Sequence, residues 1–129
     1  MTTEAEASAT EALKLFFEAW NSADIERVRA TLNYPHLTLG PAGQVVVAQT
    51  AADFQTDFER LRQAENWHHS TLDTVVVTAT IDTKVHFETT YSRYHPDGSR
   101  YGTGRVLYVV TNQGGHWGMQ FRSGMPPAG

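Results

Sequence analysis

The chain has 129 residues, 40% hydrophobic and 19% charged, the proportions of one globular domain able to build a single core. It contains no cysteine, which excludes a disulfide framework, a zinc ribbon, an iron–sulfur cluster and a thiol nucleophile. A net charge of −4, with ten Lys and Arg scattered singly, argues against a surface that tracks nucleic-acid phosphates.

The first residues are acidic and polar, with no basic patch ahead of an apolar stretch, and the longest apolar runs (45–48 and 106–110) are far too short to span a membrane. A cytoplasmic protein without signal peptide or membrane span is expected, its core over residues 8–123 and loose tails at 1–7 and 124–129. Ser8 stands three residues before Glu11, a capping-box spacing. Leu13, Phe16, Phe17 and Trp20 then follow as one apolar helical stripe. Asn21-Ser22-Ala23-Asp24 breaks that helix and offers a new N-cap, and a short second helix carrying Ile25, Val28 and Leu32 is expected to stop at Pro35. Residues 37–39 and 44–48 read as short strands around Gly40-Pro41-Ala42-Gly43. Thr50 and Asp53 form another capping-box pair, expected to open a third helix with the stripe Phe54, Phe58 and Leu61.

After Asn66 the pattern changes to period two. Residues 72–79 and 84–95 are rich in Val, Thr and aromatics. His95-Pro96-Asp97-Gly98 marks a hairpin, and 100–111 and 117–123 complete the strands. Helices first and a meander of strands second predict an α+β fold: three N-terminal helices packed on a strongly curved, mainly antiparallel sheet.

That order of elements resembles the nuclear-transport-factor-2-like superfamily, which includes the SnoaL-like cyclases and ketosteroid isomerase. The resemblance rests on Phe16-Phe17-Glu18-Ala19-Trp20-Asn21-Ser22-Ala23-Asp24-Ile25-Glu26 and on the ending Leu107-Tyr108-Val109-Val110-Thr111 with Gly115-His116-Trp117-Gly118. It implies a cone-shaped α+β barrel around a pocket, and the homodimer common in the superfamily. Ketosteroid isomerases use an aspartate base and an oxyanion hole of a tyrosine and a protonated aspartic acid. Aligned without gaps, those positions fall on Gly40, Phe16 and Leu107, so steroid isomerisation by that route is excluded.

The emptied positions mark the strand faces. If residue 40 points into the cone, so do Thr38 and His36. If Leu107 points inward and Arg93 lies opposite Tyr101, the inner face carries Phe87, Thr89, Tyr91, Arg93, Tyr101, Arg105, Leu107 and Val109. The expected lining is apolar at the bottom (Phe16, Trp20, Phe87, Leu107) and polar toward the mouth (His36, Tyr91, Arg93, Arg105), suited to a small apolar organic ligand. His36 is then either a general base or a cap on a backbone carbonyl. Arg105 or Arg93 either holds a carboxylate, enolate or phenolate or pairs across strands with an acid such as Asp73. Tyr91 either donates to a substrate oxygen or packs with one partner. Trp20, Trp67 and Trp117 read as core, with Trp67 the one nearest a rim.

The opposite face, with His86, Glu88, Thr90, Val106, Tyr108 and Val110, is the expected dimer surface. Six histidines are present, yet no His-x-His or His-Glu-x-x-His spacing occurs, so no metal is expected, and no glycine-rich loop suggests a nucleotide. Three functions remain open at this level. One is a cofactor-free isomerase, dehydratase or cyclase using His36, Arg105 and Tyr91. The others are a non-catalytic ligand binder and a dimeric interaction module.

Overall fold

A computed structural model describes residues 3–125. Residues 1–2 and 126–129, parts of the two expected tails, lie outside the described residues. Helix α1 (Glu4–Asn21) starts one turn earlier than the Ser8 signal suggests. Thr3 caps it: its hydroxyl accepts the Glu6 N–H at 3.1 Å while the Glu6 carboxylate accepts the Thr3 N–H at 3.1 Å. Residues 4–7 are therefore helix, not tail. The helix buries Ala9, Ala12, Leu13, Phe16 and Ala19 along one face. At its end the Asn21 amide exchanges two hydrogen bonds of 2.8 Å with the backbone of Ser70.

Asp24 caps α2 (Ile25–Ala30) through the N–H groups of Glu26 and Arg27, as its residue type suggests. Pro35 does not end that helix. It sits, exposed, inside strand β1 (Leu32–Leu39) after a cis bond to Tyr34, where the register between β1 and its neighbour shifts and no ladder N–H is needed. After β2 (Val45–Ala48) the Thr50–Asp53 capping box closes only a 3₁₀ turn, Ala51–Asp53. Helix α3 (Phe58–Glu65) begins afresh with Asp57 as its cap, leaving Phe54 free to turn into the core.

The remaining strands are β3 (His69–Ile81), β4 (Lys84–Tyr94), β5 (Arg100–Gln113) and β6 (His116–Met125). The β4–β5 turn closes at Gly98, whose φ of +88° suits a residue without a side chain. The sheet order is β2-β1-β6-β5-β4-β3, antiparallel except for β1 beside β6. The sheet is open, with β2 and β3 as edges, and α1 touches β3, β4, β5 and β6. The expected α+β architecture is thus the one formed.

Two bulges decide which side chains face the helix. At the β4–β5 hairpin Tyr94 pairs with Arg100, but Arg93 pairs with Gly102, so Tyr101 is an extra residue. From there on β5 is one residue out of step with the expected register, and a one-residue slip exchanges the faces. Val106, Tyr108 and Val110 point inward opposite Thr89, Phe87 and Val85, whereas Arg105 and Leu107 share the outer face with Glu88 and Val76. The expected inward Arg105, Leu107 and Val109 and outward Val106, Tyr108 and Val110 are therefore reversed; the β4 assignments stand. The second bulge lies in β6: Val110 pairs with Met119 but Val109 with Phe121, leaving Gln120 extra and setting Arg122 opposite Tyr108.

Candidate functional site

The inner face encloses a cleft of about 230 Å³. Helix α1 supplies Phe16, Phe17 and Trp20. Thr38, Leu39, Gly40 and Pro41 come from the end of β1 and its turn, Tyr91 and Arg93 from β4, Val106 and Tyr108 from β5, and Arg122 from β6. The rings pack edge to face: Phe17 meets Tyr108 at 6.2 Å and 85°, and Trp20 meets Phe58 at 5.0 Å and 69°. No Asp or Glu lines the cleft among the described residues. Tyr91 lies flat across β5 because residue 104 is glycine; a Cβ there would stand 2.5 Å from its Cζ and hydroxyl. Tyr91 and Tyr108 both line the cleft, and their hydroxyls have no hydrogen-bond partner among the described residues. Burial raises the Tyr108 phenol above its ordinary range, against the opposing charge of Arg122, so the hydroxyl stays a neutral donor.

At the mouth, Arg93 Nη1 donates to Glu65 Oε1 at 2.8 Å, and the Tyr101 hydroxyl donates to the same oxygen at 2.8 Å. Burial pulls the Arg93 pKa down, but the neighbouring Tyr91 and Glu65 outweigh it and raise it. The Tyr101 phenol is pushed up to about 12 by burial and by the Glu65 carboxylate. The acid expected for this arginine, Asp73, instead accepts hydrogen bonds from Ser92 and Thr71.

At the floor stands Arg122. Its Nη2 lies 3.4 Å from Thr38 Oγ1, and its Nε is enclosed with no acceptor among the described residues. The guanidinium carbon lies 5.6, 5.8 and 5.9 Å from the ring centres of Phe16, Trp20 and Phe54. Behind it a second chamber of about 170 Å³ is lined by His36, Thr38, Val46, Ala48, Asp53, Phe54, Gln55 and Arg122.

His36 belongs to that rear chamber and not to the cleft. It is 1% exposed, its Nδ1–H donates to the Met119 carbonyl at 3.1 Å, and its Nε2 has no partner among the described residues. Burial, with the charge of Arg122 second, lowers its pKa to about 4 against the opposing Met119 hydrogen bond. An imidazole so tuned is a weak base at neutral pH, and its hydrogen bond to Met119 is the carbonyl-capping arrangement, one of the two expected of it.

Of the other expected residues, Phe16, Trp20, Thr38, Tyr91 and Arg93 converge on the cleft. Phe87 and Thr89 face inward but are packed core, and Thr89 Oγ1 donates to the Val106 carbonyl at 2.9 Å. Arg105 and Leu107 lie outside on the opposite face. Trp67 is buried, its indole donating to Ser70 Oγ at 3.0 Å, and Trp20 is the tryptophan that lines the cleft. Sequence reasoning missed Tyr108 and Arg122. Strict alternation from Met119 puts Arg122 on the outer face, and the Gln120 bulge brings it in.

A family model described as NTF2-like protein (DUF6841) matches residues 5–120. No curated protein matches the chain. Similar solved structures include a protein of unknown function with a cystatin-like fold from Nostoc punctiforme, 15% identical, covering 98% of this chain and 94% of that chain with a TM-score of 0.75. An NTF2-like protein with a cystatin-like fold from Novosphingobium aromaticivorans is 11% identical over 98% of this chain and 84% of that one, TM-score 0.76. An NTF2-like protein of unknown function from Pseudomonas putida is 15% identical over 100% and 91%, TM-score 0.75. At such identities the likeness is one of fold.

Proposed function

Since the chain belongs to the NTF2-like family DUF6841, we propose that it is a small-molecule pocket protein whose cleft holds one compact, largely apolar organic molecule. The observation that carries this reading is an aromatic-walled cleft lined by Tyr91 and Tyr108, whose hydroxyls have no hydrogen-bond partner among the described residues. At about 230 Å³ it is smaller than the roughly 300–1,000 Å³ that accommodates drug-sized ligands. Binding is favoured over acid–base catalysis, because the cleft has no carboxylate among the described residues and His36 faces the other chamber. Native mass spectrometry of the protein as purified from cells, before and after denaturation, tests it. A retained organic molecule released on unfolding is expected. A protein that comes out empty and shows no cleft-residue NMR shifts with aromatic fragments refutes it.

A second reading concerns the outer face, where Val76 and Met125 are 55% and 48% exposed beside Leu107, Glu88 and Arg105. We propose that this face, without the Val106 and Tyr108 first assigned to it, pairs with a second copy of the chain. Glu88→Lys is expected to weaken the dimer in sedimentation. A profile unchanged by it removes this face from the interface.

A further inference from the structure

Arg122 forms no ion pair among the described residues, and Thr38 Oγ1, at 3.4 Å, is its one acceptor among them. A guanidinium carries five N–H donors, and a charge removed from water without partners is costly. The three rings around Arg122 offset part of that cost but offer no good acceptor for its in-plane edge. The fold is able to pair an arginine in this neighbourhood, since Arg93 receives Glu65 from α3. What remains open at the floor is a fork of donors with two phenol hydroxyls on the same cleft.

We infer that Arg122 anchors the anionic group of the ligand, a planar oxyanion such as a carboxylate, while Tyr91 and Tyr108 donate to its oxygens and Phe16, Phe17 and Trp20 cover its apolar body. This rests on the reading of the cleft as a ligand site and names the class of ligand. Planarity follows from the guanidinium, which pairs best with two coplanar oxygens. A single negative charge follows from Arg122 being the one cleft-lining cation with no carboxylate partner among the described residues. The front cleft is the side occupied, because the rear chamber already presents the Asp53 carboxylate, held there by the Thr50 N–H at 3.1 Å, and an anion would be repelled by it.

Phenylacetate and its neutral isostere phenylacetamide test the inference at pH 7, with binding read by tryptophan fluorescence and by NMR shifts of Gly40, Val106 and Gly124. The expected result is a preference for the acid of roughly ten- to hundredfold, the scale of a charge-assisted hydrogen-bond pair. Arg122→Met abolishes the preference by weakening the acid and not the amide. Arg122→Lys, which keeps the charge and loses the fork, retains part of it. Thermal melting and NMR dispersion establish that both variants are folded. Equal binding of acid and amide by the unsubstituted protein, or a preference that survives in Arg122→Met, overturns the anionic assignment and leaves the pocket reading standing. Cleft resonances that move with neither compound overturn both.

Discussion

Arg93 at the mouth and Arg122 at the floor start from similar places: each is an inward-facing strand residue with its guanidinium over aromatic rings. They end differently. Arg93, 32% exposed, is held by a carboxylate from α3 that also takes the Tyr101 hydroxyl. Arg122 sits deeper, with its Nε shut away from water, where an acid would stabilise it more, and pairs with none among the described residues. Electrostatic need does not explain that distribution, because the better-solvated cation has the partner. A floor kept open for a ligand does explain it. The two ends of the cleft thus set an ion pair apart from the proposed anion anchor.

The largest expected effect lies beside Arg122. His36 has a pKa of about 4 in the folded chain against an ordinary 6.5, so as the pH falls the unfolded chain takes up this proton first. Its stabilising contribution is therefore complete above about pH 6.5 and is lost as the pH drops toward 4. At about 1.4 kcal/mol per unit the total is about 3 kcal/mol, of which about 2 kcal/mol disappears between pH 7 and pH 5. Urea unfolding at the two pH values measures it. His36→Gln, which keeps a donor for the Met119 carbonyl, should flatten the difference, and parallel losses in both proteins would mean that His36 charges freely in the fold. Next in size, Arg122→Met should raise stability by about 1–2 kcal/mol, since it removes a desolvated unpaired charge and fills the space with an apolar chain. It should also move the His36 titration, followed by NMR, part of the way back up, because the guanidinium is the second cause of its depression. A destabilised Arg122→Met would mean that the three aromatic contacts outweigh the missing counter-charge.

These groups were unequally legible in the sequence. The stripe Leu13, Phe16, Phe17 and Trp20 and the inward set Phe87, Thr89, Tyr91 and Arg93 follow from local periodicity, and the structure keeps them. The Thr50–Asp53 signal was real, but it closed a 3₁₀ turn rather than opening a helix, since Asp57 offers a second cap a few residues later. The errors that matter came from bulges. Tyr101 and Gln120 each add one residue to a strand without changing its composition, and each inverts the faces beyond it. Arg105 and Leu107 were moved out of the site in this way, and Tyr108 and Arg122 into it. Period two has no means of registering an extra residue.

Smaller effects sharpen the contrast between floor and mouth. Gly104→Ala would place a Cβ 2.5 Å from the Tyr91 Cζ and hydroxyl, and the ring must swing away. A half-buried ring has room to do so, so the cost should be about 1 kcal/mol, the low end for overpacking. Phenylacetate binding should weaken with it if the Tyr91 hydroxyl contacts the anion. Unchanged affinity would leave Tyr108 as the only phenol involved.

The smallest change breaks the mouth pair. Glu65→Gln should cost less than about 1 kcal/mol, because both partners are about one-third exposed. It should let the Tyr101 phenol fall from about 12 toward its ordinary 10 while burial still holds it above that value, which a tyrosine-resolved NMR titration would follow. Its value lies in combination with Arg122→Met. The double variant has the comparison reversed, with an unpaired cation at the mouth and none at the floor. If the lack of a partner is what makes an arginine an anion anchor here, the acid-over-amide preference lost in Arg122→Met should return in part, by about two- to fivefold, since Arg93 remains better solvated. If none returns, depth and the surrounding rings, rather than the missing counter-charge, set Arg122 apart.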